Sequence, residues 1–123
     1  MKFTMNRVQL VYVDADPGED AEEQIIMDLL IDDTTGCAVG PNPGLGFFGS
    51  AKSEIYPFLM YFNRPSGWVT MKYGNFDKDA YEERINIIAR PIKTGDFFTY
   101  IVADGEESTY KVKKVTNLAN PSK

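Results

Sequence analysis

Hydrophobic and polar positions alternate every second residue over most of this chain, the period of a half-buried strand. From Phe3 to Val13, Val8, Leu10 and Tyr12 share one face while Arg7, Gln9 and Val11 share the other. Farther on, Ile25, Met27, Leu29 and Ile31 alternate with Gln24, Asp28 and Asp32 opposite. A second reading competes there. Asp16-Pro17-Gly18-Glu19 resembles a capping box with proline at the first helical position, and a helix would align Ala21, Ile25 and Leu29. The turn chemistry of Asp32-Asp33-Thr34-Thr35-Gly36, with glycine where a positive φ is needed, favours a strand over Gln24–Asp32 that pairs with the first one.

The period changes once. Ile55, Phe58, Leu59 and Phe62 fall at i, i+3, i+4 and i+7, which predicts a helix capped by Ser50 or Ser53 and either begun late or kinked by Pro57. Asn63-Arg64-Pro65-Ser66-Gly67 turns the chain into a strand over Trp68–Tyr73. Asn75 to Glu83 has room for one helical turn capped by Asp77, and Arg84–Arg90 reads as a strand that Pro91 ends at an edge or a bend. Lys93-Thr94-Gly95-Asp96 is a turn. Phe97–Ala103 and Thr109–Val115 form a hairpin joined by Asp104-Gly105-Glu106-Glu107. Residues 116–123 read as a frayed tail. The expectation is a single domain over 1–123 of α+β class: six or seven strands, a mostly antiparallel twisted sheet curling toward a partly closed barrel, and one main helix.

The segment from Gly36 to Gly49 stands apart, holding five of the ten glycines, two of the seven prolines and the lone cysteine. Gly44-Leu45-Gly46-Phe47-Phe48-Gly49 matches the spelling of a dinucleotide-binding fingerprint. Its context is wrong: Pro41-Asn42-Pro43 precedes it in place of a strand, and positions 64 to 76 hold no acid to bind a ribose. What remains is an anion nest, in which free backbone amides of Gly44, Gly46 and Gly49 gather before a helix start with Ser50 and Lys52. Phe47, Phe48 and Tyr56 would add flat faces, and Arg64 and Arg90 positive charge. The plainer reading is a wrapping loop whose phenylalanines plug the core.

Composition narrows the chemistry. The chain has 123 residues, 43% hydrophobic and 13% aromatic, ample for one packed core. A net charge of −5 argues against a nucleic-acid polymer as partner. Histidine is absent, which removes the commonest general base and zinc ligand, and Cys37 has no base to activate it. Neither a metal site nor a cofactor is expected. The run Asp14–Glu23, with six acids, lacks calcium-loop spacing and reads as an exposed acidic loop. Glu82, Glu83, Glu106 and Glu107 read as solvated turn residues of ordinary acidity, and Lys111, Lys113 and Lys114 as charges guarding a sheet edge. No apolar run is long enough to span a membrane, so the expected location is cytoplasmic.

Two functions fit. One is a non-catalytic binding protein that captures a small anionic, nucleotide-like ligand at the glycine-rich segment, acting by sequestration as in phage and bacterial conflict. The other is an acidic inhibitor or immunity-type protein that occludes a basic site on a partner protein. A homo-oligomer is expected in either case, since aromatic-rich loops and strand edges often complete a site across a two-fold axis.

Overall fold

The computed structural model describes residues 2–13, 19–49, 55–73 and 81–119, with the backbone alone for residues 19–23 and 81. Nine strands follow one another: β1 (Phe3–Val13), β2 (Glu19–Asp32), β3 (Ala38–Gly40), β4 (Gly44–Gly49), β5 (Ile55–Asn63), β6 (Trp68–Tyr73), β7 (Tyr81–Ile85), β8 (Phe97–Ile101) and β9 (Glu107–Asn117). Each lies antiparallel to its neighbours in the order β1-β9-β8-β7-β6-β5-β4-β2-β3. Because β1 also pairs with β2, the sheet closes into an eight-stranded barrel, with β3 as an extra strand against the end of β2. The class is therefore all-β, which corrects the expected α+β domain: there is no helix among the described residues.

The expected pairing of the first two strands holds, in continuous register from Phe3–Asp32 to Val11–Gln24. The two hairpin glycines also sit as expected. Gly36 has φ 76° and Gly105 φ 93°. Beside them the Asp32 and Asp104 carboxylates accept from the amides of Thr34 (2.8 Å) and Glu106 (2.9 Å), the side-chain mimicry that makes Asp a turn former.

The helix expected after Ser53 is instead β5. Its sequence, IYPFLMYFN, is apolar on both faces, so it satisfies both periods at once. Phe58 and Met60 point inward and are buried. Their outward neighbours cross to apolar partners on β4, Leu59 to Leu45 and Pro57 to Phe47. A run rich in aromatic and apolar residues with a proline near its start suits a strand better than a helix interior. The glycine-rich segment is likewise a strand. Gly44 to Gly49 pairs with β5 along its whole length, and Gly46 to Phe48 pairs with β2 on the other side. A Cβ on Gly46 would stand 2.5 Å from the Phe58 ring and 2.6 Å from the Ile26 carbonyl oxygen, so the bare Cα makes the room that Phe58 fills. Small residues opposite large ones let a narrow barrel pack its interior.

Three smaller expectations also change. The strand read over Arg84–Arg90 ends at Ile85, because the Asn86 side chain accepts from the Thr99 amide (2.8 Å) where a ladder partner would. Strand β9 is not an edge: it lies between β1 and β8, and Lys113 falls in a bulge opposite Gln9–Leu10. It runs on to Asn117, and the Leu118 amide donates to Met5 (2.9 Å), so the part of the expected tail that is described belongs to the barrel. The helical turn expected after Asn75 lies mostly outside the described residues, and its last part, residues 81–83, belongs to β7.

The barrel has two unlike ends. At the base, the connection after β7 crosses between the turns 33–37 and 64–67. Ile92 donates its amide to Gly36 (3.0 Å), Ala89 meets Gly67, and Ile87 and Ile92 are buried. This connection plugs the base. The other end is where β1, β4, β6 and β8 finish and β2, β5, β7 and β9 begin, and there the described residues leave a cavity.

Candidate ligand-binding site

Strand alternation brings one layer of inward side chains to the open end, and that layer stops short of filling it. Along β9 the inward row is Ser108, Tyr110 and Val112, with Glu106 one step beyond the strand. The matching positions elsewhere are Tyr12 on β1, Phe48 on β4, Tyr56 on β5, Tyr73 on β6, Glu83 on β7 and Val102 just past β8. Together they enclose a cavity of about 350 Å³. One step farther along the inward rows, Tyr100, Met71, Ile85 and Val112 are fully or almost fully buried.

The rings form a connected set. Tyr110 lies between Tyr12 (centroids 5.6 Å, planes tilted by 58°) and Tyr100 (5.2 Å, 47°), and Tyr73 leans on Phe58 (5.2 Å, 57°). Tilted contacts of this kind place the positive edge of one ring over the negative face of the next. The Tyr73 and Tyr100 hydroxyls are 3.1 Å apart, and Tyr100 donates to the Glu83 carboxylate. Glu83 is half-buried. Burial raises its pKa above the ordinary glutamate value, and the nearby charge of Asp104 pushes the same way. The Ala103 amide and the Tyr73 hydroxyl, which favour the charged form, offset only part of that rise. The expectation of a solvated glutamate of ordinary acidity is thus overturned at Glu83, because it continues the inward row of Ile85 and Ile87. That phase could have been read from the sequence.

The residues expected to bind a ligand do not converge. Phe48 and Tyr56 do line the cavity. Gly44, Gly46 and Gly49 lie in β4, whose central residues are laddered on both sides, so this backbone does not form an open nest. Phe47 is on the outer face, near Arg7, Ile26 and Leu45. Ser50 and Lys52 are outside the described residues. Arg64 and Arg90 belong to the base. Arg64 donates to the Val39 carbonyl, and the Arg90 guanidinium lies 4.4 Å from the centre of the buried Phe98 ring. Cys37 follows the β2–β3 turn at the same end, away from the cavity. Of the acidic run, residues 14–18 lie outside the described residues, while Glu19, Asp20, Glu22 and Glu23 occupy β2 positions at the open end.

Sequence reasoning missed Tyr12, Tyr73, Glu83, Glu106 and Tyr110 as site residues. Each is an inward position at a strand's open end, and recognising that requires knowing which ends lie together. No family model, curated protein or solved structure matches this chain.

Proposed function

We propose that this chain is a non-catalytic binding protein that captures a small molecule in the mouth of its barrel. The observation that supports this reading is the cavity, walled by Tyr12, Phe48, Tyr56, Tyr73 and Tyr110 and carrying one anchored carboxylate. Mouths of antiparallel barrels are common ligand sites, and 350 Å³ falls near the lower end of the range such sites occupy, roughly 300–1,000 Å³. Aromatic walls offer large contact area with few torsions to freeze. Binding, not turnover, is the fitting role. The sequence holds no histidine, and its single cysteine sits at the opposite end. The proposed site therefore moves from the glycine-rich backbone to the aromatic layer above it.

The test is a thermal-shift screen of small aromatic compounds followed by titration calorimetry on Tyr110→Ala and Tyr56→Ala. A compound held in the mouth should lose at least about tenfold in affinity in both variants, or ~1.4 kcal/mol. Unchanged affinity in both would move the site elsewhere and overturn the reading.

A second reading keeps the acidic decoy. Glu82, Asp104, Glu106 and Glu107 are exposed at the same end to which Glu19, Asp20, Glu22 and Glu23 belong. A basic protein surface seated on this rim would be retained on the chain at low salt and released near 0.5 M, about where the screening length has fallen below 5 Å. Retention through 1 M salt would count against it.

A further inference from the structure

The charge of the ligand can be read from the same cavity. We propose that the mouth selects a cation: a protonated amine or quaternary ammonium carried on a single ring or similarly small apolar body. This rests on the cavity being the ligand site and goes beyond it by fixing the ligand's chemical class.

Among the described lining residues, the ionisable side chains besides the tyrosines are Glu83 and Glu106, with no lysine or arginine. Glu82, Asp104 and Glu107 stand exposed around them. Lys72, beside the lining residue Tyr73, is taken up by Glu82 at 3.7 Å and by the Tyr61 ring at 5.0 Å. Arg64, Arg90 and Lys93 sit on turns at the base. Like charges around a low-dielectric opening focus their field into it, which raises the local concentration of cations and repels anions. An anionic ligand would meet these carboxylates and, among the described lining residues, no compensating base.

The rings then discriminate among cations. The faces of Tyr12, Tyr56, Tyr110 and Phe48 carry the negative end of the ring quadrupole, and aromatic cages are a recurring device for holding ammonium groups. Glu83 completes the cage from below. Its carboxylate is held in one orientation by the Tyr73 and Tyr100 hydroxyls and the Ala103 amide, so it does not need to be ordered when a ligand arrives. The polar groups of the site are thus arranged around negative charge. An ammonium ion entering the mouth supplies the positive partner that Glu83 has among none of the described lining residues.

Three probes of like size and different charge test this by calorimetry at low salt: benzylammonium, benzyl alcohol and benzoate. Benzylammonium should bind at least about tenfold tighter than benzyl alcohol (~1.4 kcal/mol), and benzoate should be weakest. Glu106→Gln, which alters only an exposed side chain, and Glu83→Gln should each remove most of the preference for benzylammonium. Binding of benzyl alcohol should change less than about twofold. If benzyl alcohol or benzoate binds as well as benzylammonium, and Tyr110→Ala abolishes that binding, the cation proposal is overturned while the cavity stands. If benzylammonium binds best but loses nothing in either glutamate variant, the proposed role of the carboxylates is overturned. If none of the three binds at millimolar concentration, both the cation assignment and the cavity reading fail.

Discussion

Replacing Gly46 with alanine is the sharpest test of the barrel, because a single methyl group would have to enter the closest approach between strands β2, β4 and β5. Built on the existing backbone, that carbon lies 2.5 Å and 2.6 Å from two atoms of the Phe58 ring and 2.6 Å from the Ile26 carbonyl oxygen. Carbon atoms in contact normally stand near 3.5–4.0 Å, so roughly an ångström must be found. Neither neighbour can give it cheaply. The Phe58 ring is buried and leans on Tyr73, and the Ile26 backbone is laddered to Phe47. Overpacking commonly costs ~1–3 kcal/mol, and with one obstacle in the backbone itself the upper end applies. For a domain of this length, about 3 kcal/mol lowers the melting temperature by about 12 °C. Gly40→Ala is the control: its added carbon would meet only the Asn42 nitrogen at 3.8 Å, so its expected change stays within about 0.5 kcal/mol. Trimming the ring should relieve part of the clash, making Gly46→Ala with Phe58→Leu less destabilised than the sum of the two single variants. Differential scanning calorimetry on the parent and the four variants decides the matter. A Gly46→Ala variant melting within about 2 °C of the parent would refute the packing argument.

Two further predictions concern charge. Glu83 has a raised pKa in the folded chain, so the folded state holds its proton more tightly than the unfolded state does. That contribution is fully present below the unfolded value of 4.5 and is lost as pH rises through the folded value. Glu83→Gln should therefore melt at or above the parent temperature at pH 7 and lose that advantage below pH 4.5. An advantage that stays constant from pH 7 to pH 4 would show that ionisation is not the cause. On the outer surface, Arg7 makes a two-pronged contact with Asp28 at 2.8 Å and 3.0 Å, but both side chains are well exposed. Arg7→Ala should cost under about 1 kcal/mol in urea denaturation, and a larger loss would mean the stem packs as well as the charge pairs.

How much of this could be read in advance depended on whether the deciding contact was local. Strand β6 and the turns at Gly36 and Gly105 are specified by neighbours a few residues apart, and each lies where the alternation and turn residues put it. Strand β5 was not legible because both its faces are apolar: Phe58 and Met60 go to the core, while Leu59 and Pro57 go to an outer face shared with β4. Strand β4 was not legible because glycine has poor strand propensity, and its reason for being there is the Phe58 ring across the ladder. The site depended on the same kind of information. Phe48 and Tyr56 drew attention as aromatics beside a loop, yet they matter as inward residues at one end of a closed sheet. Glu83 looked like any acid in a polar stretch until Tyr100, seventeen positions later, could be placed beneath it.

The pairing of β1 with β9 carries a consequence for how the molecule comes into being. Residues 6 to 12 find half of their ladder only in residues 110 to 117, with the whole of the rest of the barrel lying between them in sequence. During synthesis the first strand emerges long before its second neighbour exists, so the seam between them stays unsealed until residues 110 to 117 have been made. A nascent chain stalled before Glu107 would expose a bare margin on both β1 and β8, each ready to recruit a foreign strand. Slow, late closure of this kind makes the final eleven-residue strand the step on which soluble yield turns.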